Sequence, residues 1–176
     1  MVETIKPLLN LCAADIMSHQ VVMIPREMSL QGAARMLARA GVTGAPVVDA
    51  LGRCIGVLSA TDFMRWVKED HHASLPRANN ETMCKPWQIP EGALEQNGCV
   101  ENSMTKDPVL VTPDARIGDL AQMMMDAHIH RIIVVDRVKQ RPIGIVSSMD
   151  ILSAVARADA MQAASAPFET NGDTVH

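Results

Sequence analysis

The apolar and polar positions of this chain follow helix and strand patterns that occur twice in the same order. In the first half, a helix is predicted between a Ser29 cap and a Gly41 end. Two extended runs follow over 45–49 and 54–59, and their separation predicts a hairpin. A second helix is predicted over 61–69. The apolar face that predicts the first of these helices consists of Leu30, Ala33, Ala34, Leu37 and Ala40.

The second half of the chain repeats this order of elements. An extended run over 109–111 leads into a helix that residues 112–114 are predicted to open. In the first half, the corresponding extended run over 21–24 is predicted to stop at Pro25, before the first helix. Two strands and a closing helix then complete this half, over 132–136, 142–147 and 149–158. The apolar face of the opening helix is predicted to contain Ile117, Leu120, Ala121, Met124 and His128.

The two halves also match residue by residue. Residues 17–49 align with residues 104–136 without a gap, at an offset of 87 positions. One extra residue in the turn after Asp136 shifts the offset to 88, so that Gly56 aligns with Gly144. In such a repeat, one unit alone often cannot bury its apolar face. The sequence therefore predicts two small units that share a core.

Length and composition narrow the class of protein. A chain of 176 residues suits one compact domain or two small repeats, and its apolar fraction of 48% is ordinary for a globular protein. Aromatic residues are scarce at 2% while Met occurs 13 times, which predicts an aliphatic, Met-filled core. No apolar run is long enough for a membrane helix. The net charge of −4, without a basic stripe, argues against nucleic-acid binding.

The cysteine and histidine residues do not predict a metal site. The four cysteines lack the paired spacing of a zinc site or a disulfide framework, which favours free thiols in a cytoplasmic protein. The histidines of the two His pairs are more simply interpreted as solvated or core residues than as metal ligands. The residues weighed as metal ligands are His71, His72, His128, His130, Cys84 and Cys99.

One motif, Gly-x-x-Ser-x-x-Asp, ends a predicted strand and begins a predicted helix in both halves. It contains Ser59 and Asp62 in the first copy, and Ser147 and Asp150 in the second. A Ser or Asp at such a junction can cap the helix, and the free amides of a helix N-terminus also form a phosphate site. For one copy alone, capping is the simpler interpretation, whereas the repetition of the motif favours ligand binding.

The order of elements and motifs resembles a tandem pair of cystathionine-β-synthase-type (CBS) domains. The resemblance implies an α/β (α+β) fold, in which two β-α-β-β-α repeats pack about a pseudo-twofold axis as one module. It divides the chain into a lead-in over 1–13, a first domain over 14–71, a linker over 72–99, a second domain over 100–158 and a flexible tail over 159–176. The segments that carry it are 15–18, 44–49 and 56–62 in the first copy, and 102–105, 131–136 and 144–150 in the second.

The resemblance also implies clefts that bind AMP, ADP, ATP or S-adenosylmethionine, with the Asp of each motif on the ribose and the Ser on phosphate. His130 and Arg131 are expected to bring positive charge to the second cleft, although a surface role for Arg131 is an equal alternative. The ligand-binding residues that the resemblance implies are Val22, Met23, Ala45, Pro46, Ser59, Thr61, Asp62, Val109, Leu110, His130, Arg131, Ile132, Ser147 and Asp150.

Two classes of function remain. The first is a regulatory module that senses an adenosine ligand, requires no other cofactor and acts on a partner in trans. The alternative is a dimerisation scaffold whose clefts no longer bind nucleotide. No catalytic motif supports an enzyme. Under either function a homodimer is expected through the helices at 30–40 and 117–128, where Met36, Met123 and Met125 widen the apolar face, unless the segment over 70–102 covers those Met residues.

Overall fold

The computed structural model describes residues 6–69 and 98–165, so His71 and most of the predicted linker, including His72 and Cys84, lie outside the described residues. A single 3-10 turn at Leu8–Asn10 precedes the regular elements. The helices are α1 (Ala13–Ile16), α2 (Leu30–Ala40), α3 (Ala60–Glu69), α4 (Val100–Ser103), α5 (Ile117–Asp126) and α6 (Ser148–Ser165). The strands are β1 (Ile24–Pro25), β2 (Gly44–Val48), β3 (Cys54–Ser59), β4 (Thr105–Lys106), β5 (Leu110–Val111), β6 (Arg131–Val135) and β7 (Pro142–Ser147).

These strands form two sheets with the same internal topology. In the first, β1 is parallel to β2, which forms an antiparallel hairpin with β3. In the second, β5 is parallel to β6, which forms an antiparallel hairpin with β7. The mixed α+β class, the internal repeat and the two hairpins are thereby confirmed. Pro25 was expected to stop the first strand, yet it belongs to β1; proline is tolerated there because β1 lies at the edge of its sheet.

The two repeats exchange their N-terminal segments. Short helix α1 packs in the core of the second repeat through Ala13 and Ile16, whereas α4 and the residue after it pack in the core of the first through Val100 and Met104. The exchange extends to the sheets, because β4 pairs with β3 of the first repeat. Its counterpart is a backbone bridge between Ser18 and Ile145 of β7. Neither core is therefore complete without the other half of the chain.

Backbone hydrogen bonds at two helix starts reinforce this exchange. The first N–H groups of a helix have no partner within the helix. The N–H of Leu30 in α2 donates to the carbonyl of Gly98 at 2.8 Å, and the N–H of Ile117 in α5 donates to the carbonyl of Leu11 at 3.0 Å. Each main helix thus receives a capping acceptor from the segment that precedes the short helix of the other repeat.

The glycine of each Gly-x-x-Ser-x-x-Asp motif accommodates an exchanged Met side chain. A Cβ added at Gly56 would lie 2.7 Å from Met104 Sδ and 2.8 Å from the carbonyl oxygen of Thr105. A Cβ added at Gly144 would collide with Met17 Sδ and lie 2.9 Å from its Cγ. An added methyl group would therefore displace the Met17 side chain at Gly144, and at Gly56 it would also press on the backbone of Thr105.

A third apolar cluster joins the two sheets. Cys54 of β3 packs there with Ile133 and Val135 of β6, and the N–H of Cys54 donates to the carbonyl of Gln140 at 3.0 Å. Burial raises the pKa of the Cys54 thiol above its ordinary value, so this group stays protonated near neutral pH. The side chain of Arg141 adds hydrogen bonds of 3.0 and 2.9 Å to the carbonyl of Leu51.

Three helix boundaries differ from the sequence-based prediction. Helix α6 continues past Ala158 to Ser165, so the tail expected over 159–176 begins as helix; its Ala-rich sequence contains no Gly or Pro before Pro167. Residues 166–176 lie outside the described part of the chain. Helix α5 starts only at Ile117, after an N-cap at Arg116, because residues 112–115 form a separate turn in which the N–H of Ala115 donates to the carbonyl of Thr112 at 3.0 Å. It also ends at Asp126, which removes His128 from the predicted apolar face.

His128 occupies a left-handed backbone position at the end of α5. Its φ is 51°, and the following N–H, of Ile129, donates to the carbonyl of Met124 at 3.0 Å. This is the helix-ending motif that glycine usually serves. In the first copy the aligned residue is Gly41, with a φ of 66° and the corresponding bond from Val42 to Leu37.

We expect His128→Gly to stabilise the protein by about 1 kcal/mol, because a side chain at left-handed φ carries a steric cost that glycine avoids. Urea unfolding of the two proteins measures the change. The reciprocal variant, Gly41→His, is the matched control and should destabilise by a similar amount. Equal stability of His128→Gly and wild type would show that the imidazole makes a compensating contact.

Candidate ligand-binding site

A cavity of about 410 Å³ lies between the two repeats. Its size is within the range of pockets that hold small organic ligands, roughly 300–1,000 Å³. The first repeat contributes the start of β2, the end of β3 and the start of α3, while the second contributes β4, the turn after it and the start of β6. The lining residues are Thr43, Gly44, Ala45, Pro46, Val57, Ser59, Ala60, Thr61, Asp62, Thr105, Asp107, Pro108, Val109, Ile129, His130, Arg131, Ile133 and Ile145.

The carboxylate of Asp62 lies at the cavity with its residue only 2% exposed. Its Oδ2 accepts hydrogen bonds from the backbone N–H and the hydroxyl of Ser59, both at 2.7 Å. Its Oδ1 accepts from the hydroxyl of Thr105 at 2.8 Å and lies 3.3 Å from Arg65 Nη1. Asp62 therefore both caps the start of α3 and joins it to the other repeat.

Asp150 makes the equivalent cap in the second repeat with fewer partners. Its Oδ2 accepts from the N–H and the hydroxyl of Ser147, at 2.7 and 2.6 Å, and its own N–H lies 3.3 Å from Ser147 Oγ. In the alignment of the two repeats, Ser18 is equivalent to Thr105, and Ser153 is equivalent to Arg65. Among residues 6–69 and 98–165, no side chain donates to Asp150 Oδ1. With respect to the described residues, this oxygen can accept a further donor.

Comparison with known proteins decides the family. The sequence model of the CBS domain matches residues 13–69 and 100–157, which is most of the chain. The chain belongs to the CBS domain family. A relative from Methanocaldococcus jannaschii, uncharacterized protein MJ1426, is 28% identical over 153 residues and is matched over 89% of its own length, with 80% of this chain covered.

Solved CBS domain pairs share the fold. The pair of protein MJ0100, in complex with 5′-methylthioadenosine and S-adenosyl-L-methionine, aligns with a TM-score of 0.63 at 21% identity, covering 82% of this chain and 98% of that one. CBSX2 in complex with AMP aligns with a TM-score of 0.64 at 20% identity, covering 85% of this chain and 98% of that one. At such identities the likeness establishes the CBS-pair architecture, while the ligands named belong to those proteins.

In this CBS pair, the residues expected to bring positive charge to the second cleft line the cavity that contains Asp62 instead. His130 and Arg131 were assigned to the second cleft, yet both line the cavity that contains Asp62. Arg131 Nη1 donates to the hydroxyl of Thr43 at 2.7 Å, which joins the starts of β6 and β2. The sheets of the two repeats face each other, so the cleft draws residues from both, and sequence order alone does not assign a residue to its cleft.

The cavity brings together about half of the residues that the sequence suggested, and the others lie elsewhere. Val22 packs against the first core, Met23 is 44% exposed, Leu110 belongs to the cluster between the sheets and Ile132 is fully buried in the second core. Ser147 and Asp150 form the equivalent junction in the second repeat, outside this cavity. The suggested residues that do line it are Ala45, Pro46, Ser59, Thr61, Asp62, Val109, His130 and Arg131.

Thr105 and Asp107 are among the lining residues that were absent from the sequence-based set. Thr105 aligns with Ser18 in the repeat. The alignment shows that both copies have a hydroxyl at this position, but it does not show which residue the hydroxyl bonds to. Asp107 lies at a positive φ of 57°, which an Asp in a turn tolerates better than most residues. Elsewhere in the described residues, no group of three His, Cys, Asp or Glu side chains is placed to hold a metal ion. None of the described helices is both long and apolar enough to span a membrane.

Proposed function

We propose that this CBS pair is a regulatory module that binds an adenosine-containing ligand, namely AMP, ADP, ATP or S-adenosylmethionine. The observation that carries the proposal is the cavity between the repeats, where apolar walls adjoin a capped carboxylate and a helix start. CBS pairs are regulatory rather than catalytic modules, and no reaction is assigned to this one. The partner protein is proposed to be reached in trans.

The chemistry of the cavity suits the three parts of such a ligand. Ala45, Pro46 and Val109 provide small aliphatic surfaces for a flat base. A carboxylate accepts hydrogen bonds from the vicinal hydroxyls of a ribose. The hydroxyl of Thr61, the amides at the start of α3 and the guanidinium of Arg131 are suited to phosphate.

The second cleft, around Asp150, is proposed as the site where the ribose contact forms with less rearrangement. Its cap on Ser147 matches that of Asp62 on Ser59, but Oδ1 remains open. The saturated carboxylate of Asp62 favours the alternative function for the first cleft, in which the aspartate only supports the scaffold. Ligand titration separates the two functions.

Isothermal titration calorimetry of the full chain with adenosine, AMP, ATP and S-adenosylmethionine tests the proposal. We expect binding of at least one of them, and we expect Asp150→Asn or Asp62→Asn to weaken it about 10- to 100-fold at its own cleft, because a charge-assisted hydrogen bond is lost. Asp159→Asn, an exposed carboxylate on α6 outside the cavity, is the matched control. Absence of heat with all four ligands would support the scaffold instead.

We further propose that the module is a homodimer that uses the exposed Met residues of α5. Met123 is 39% exposed and Met125 is 61% exposed, on opposite flanks of the helix face that buries Leu120 and Met124. Met36, their expected counterpart on α2, packs half-buried against the first core. The surface is therefore proposed to centre on the second repeat rather than to involve both helices equally.

A further inference from the structure

Thr105 reaches Asp62 from the other repeat. It lies on β4, a strand of two residues that pairs with β3 only at Gly56 and Val57. Its exposed side chain lines the cavity, and its hydroxyl donates to Asp62 Oδ1 at 2.8 Å. The hydrogen bond therefore crosses between the repeats at the place where a ligand on Asp62 would have to bind.

The carboxylate of Asp62 has little acceptor capacity left. An ionised carboxylate has about four lone-pair directions. Ser59 occupies two of them through its N–H and hydroxyl, and Thr105 occupies a third. Arg65 forms an ion pair with the same oxygen as Thr105 at 3.3 Å. A ribose hydroxyl that bonds to Oδ1 therefore competes with Thr105 for this oxygen.

Of the three hydrogen bonds to Asp62, the one from Thr105 can be broken at the lowest cost. The two bonds from Ser59 form the cap of α3, and their loss would leave helix-start groups without partners. Thr105 is exposed, and rotation of its side chain moves the hydroxyl without disturbing the cap. Met104, the preceding residue, is buried at 9% exposure in the first core, which holds the backbone in place during that change.

We propose that the Thr105 hydroxyl is an internal competitor that holds, in the free protein, the position on Asp62 that a ribose hydroxyl of the ligand takes. The inference rests on the proposed function and refines it at this one cleft. A ligand must then supply hydroxyl donors to replace the one displaced, so the cleft selects a ribonucleoside over a 2′-deoxyribonucleoside. Occupancy also frees Thr105, and the second repeat thereby receives the signal through β4.

Titration of Thr105→Val with adenosine and 2′-deoxyadenosine, by calorimetry on the full chain, tests this competition. Valine keeps the shape but removes the hydroxyl, so we expect adenosine to bind about 2- to 10-fold more tightly than to wild type, the worth of one net hydrogen bond. The gain should vanish in an Asp62→Asn background. Thr105→Ser restores a hydroxyl and should return the affinity to that of wild type.

Thr112→Val provides a matched control, because this Thr also donates to a carboxylate, that of Asp114, at 2.7 Å but outside the cavity. It should leave adenosine affinity unchanged. Equal or weaker binding by Thr105→Val, with Asp62 still required, would overturn the competition and leave the proposed function intact. Binding that depends on Asp150 alone would do the same. No binding by any variant would overturn both.

Discussion

Gly144→Ala is expected to lower the free energy of unfolding by about 2 kcal/mol, and Gly56→Ala by about 3 kcal/mol, because each forces a methyl group into a closely packed contact. Met17 Sδ would collide with the Cβ that Gly144 would gain, and Met104 Sδ lies 2.7 Å from that of Gly56. Gly56 also faces the carbonyl oxygen of Thr105 at 2.8 Å. That backbone atom belongs to the β4–β3 pairing and cannot move aside as a side chain can.

Because a side chain can be truncated and a backbone atom cannot, a second substitution should relieve the two Gly→Ala variants to different extents. The three atoms nearest to a Cβ at Gly144 all belong to Met17, so Met17→Ala should cost much less in the Gly144→Ala background than in wild type. Met104→Ala should relieve Gly56→Ala only in part, since the contact with the Thr105 carbonyl remains. Urea unfolding of each single and double variant measures both couplings. Additive effects in the Gly144 pair would contradict the close contact with Met17.

The elements that depend on local sequence were predictable. Ser29 accepts the N–H of Gly32 at 3.1 Å as a helix cap, and Gly41 ends α2 at a φ of 66°, as the residue types indicated. The hairpins followed from short β-branched runs separated by turns, and the CBS resemblance followed from the order of these elements. Each of these features is decided within a few residues of chain, where propensity and capping act.

The exchange between repeats could not be read from the sequence. An internal repeat shows which residues are equivalent, but an apolar residue such as Ile16 or Val100 fits the core of either copy equally well. The same ambiguity put Arg131 in the wrong cleft, although its type and position in the strand were right. Only the packed fold shows that the segment after each short helix pairs with the hairpin of the other copy.

In the candidate site too, the local features were predictable from the sequence and the contacts between the repeats were not. The Ser-x-x-Asp motif correctly located two strand-to-helix junctions, where both aspartates cap their helices. Its sequence gives no reason for the two copies to differ. The difference arises from residues outside the motif: Thr105 from the other half of the chain and Arg65 one turn along α3 both approach Asp62 Oδ1, whereas Asp150 Oδ1 lacks such a donor among the described residues. The contact from Thr105 joins segments far apart in the chain, which the motif alone does not reveal.

A double variant, Met123→Lys with Met125→Lys, is expected to convert a dimer into a monomer. Wild type should show a mass of about 38 kDa by light scattering on a size-exclusion column, twice that of the 19.1 kDa chain, and the variant should show one chain. The two Met side chains are 39% and 61% exposed on the two flanks of α5, so they widen its apolar surface beyond the face that the core buries, and monomers seldom leave such surface in water. Two unpaired charges buried in that interface would weaken association at least about 100-fold.

Two further variants locate the interface. Val138→Lys is the matched control, since Val138 is 88% exposed in the turn between β6 and β7 and should not affect the mass. Leu152→Lys probes another exposed apolar residue, 58% exposed on α6. Dissociation by Leu152→Lys but not by the α5 double variant would place the interface on α6 and contradict the assignment. A wild type that stays monomeric at micromolar concentration would instead indicate that residues 70–97 cover the Met surface, because a water-exposed patch of this composition otherwise favours association.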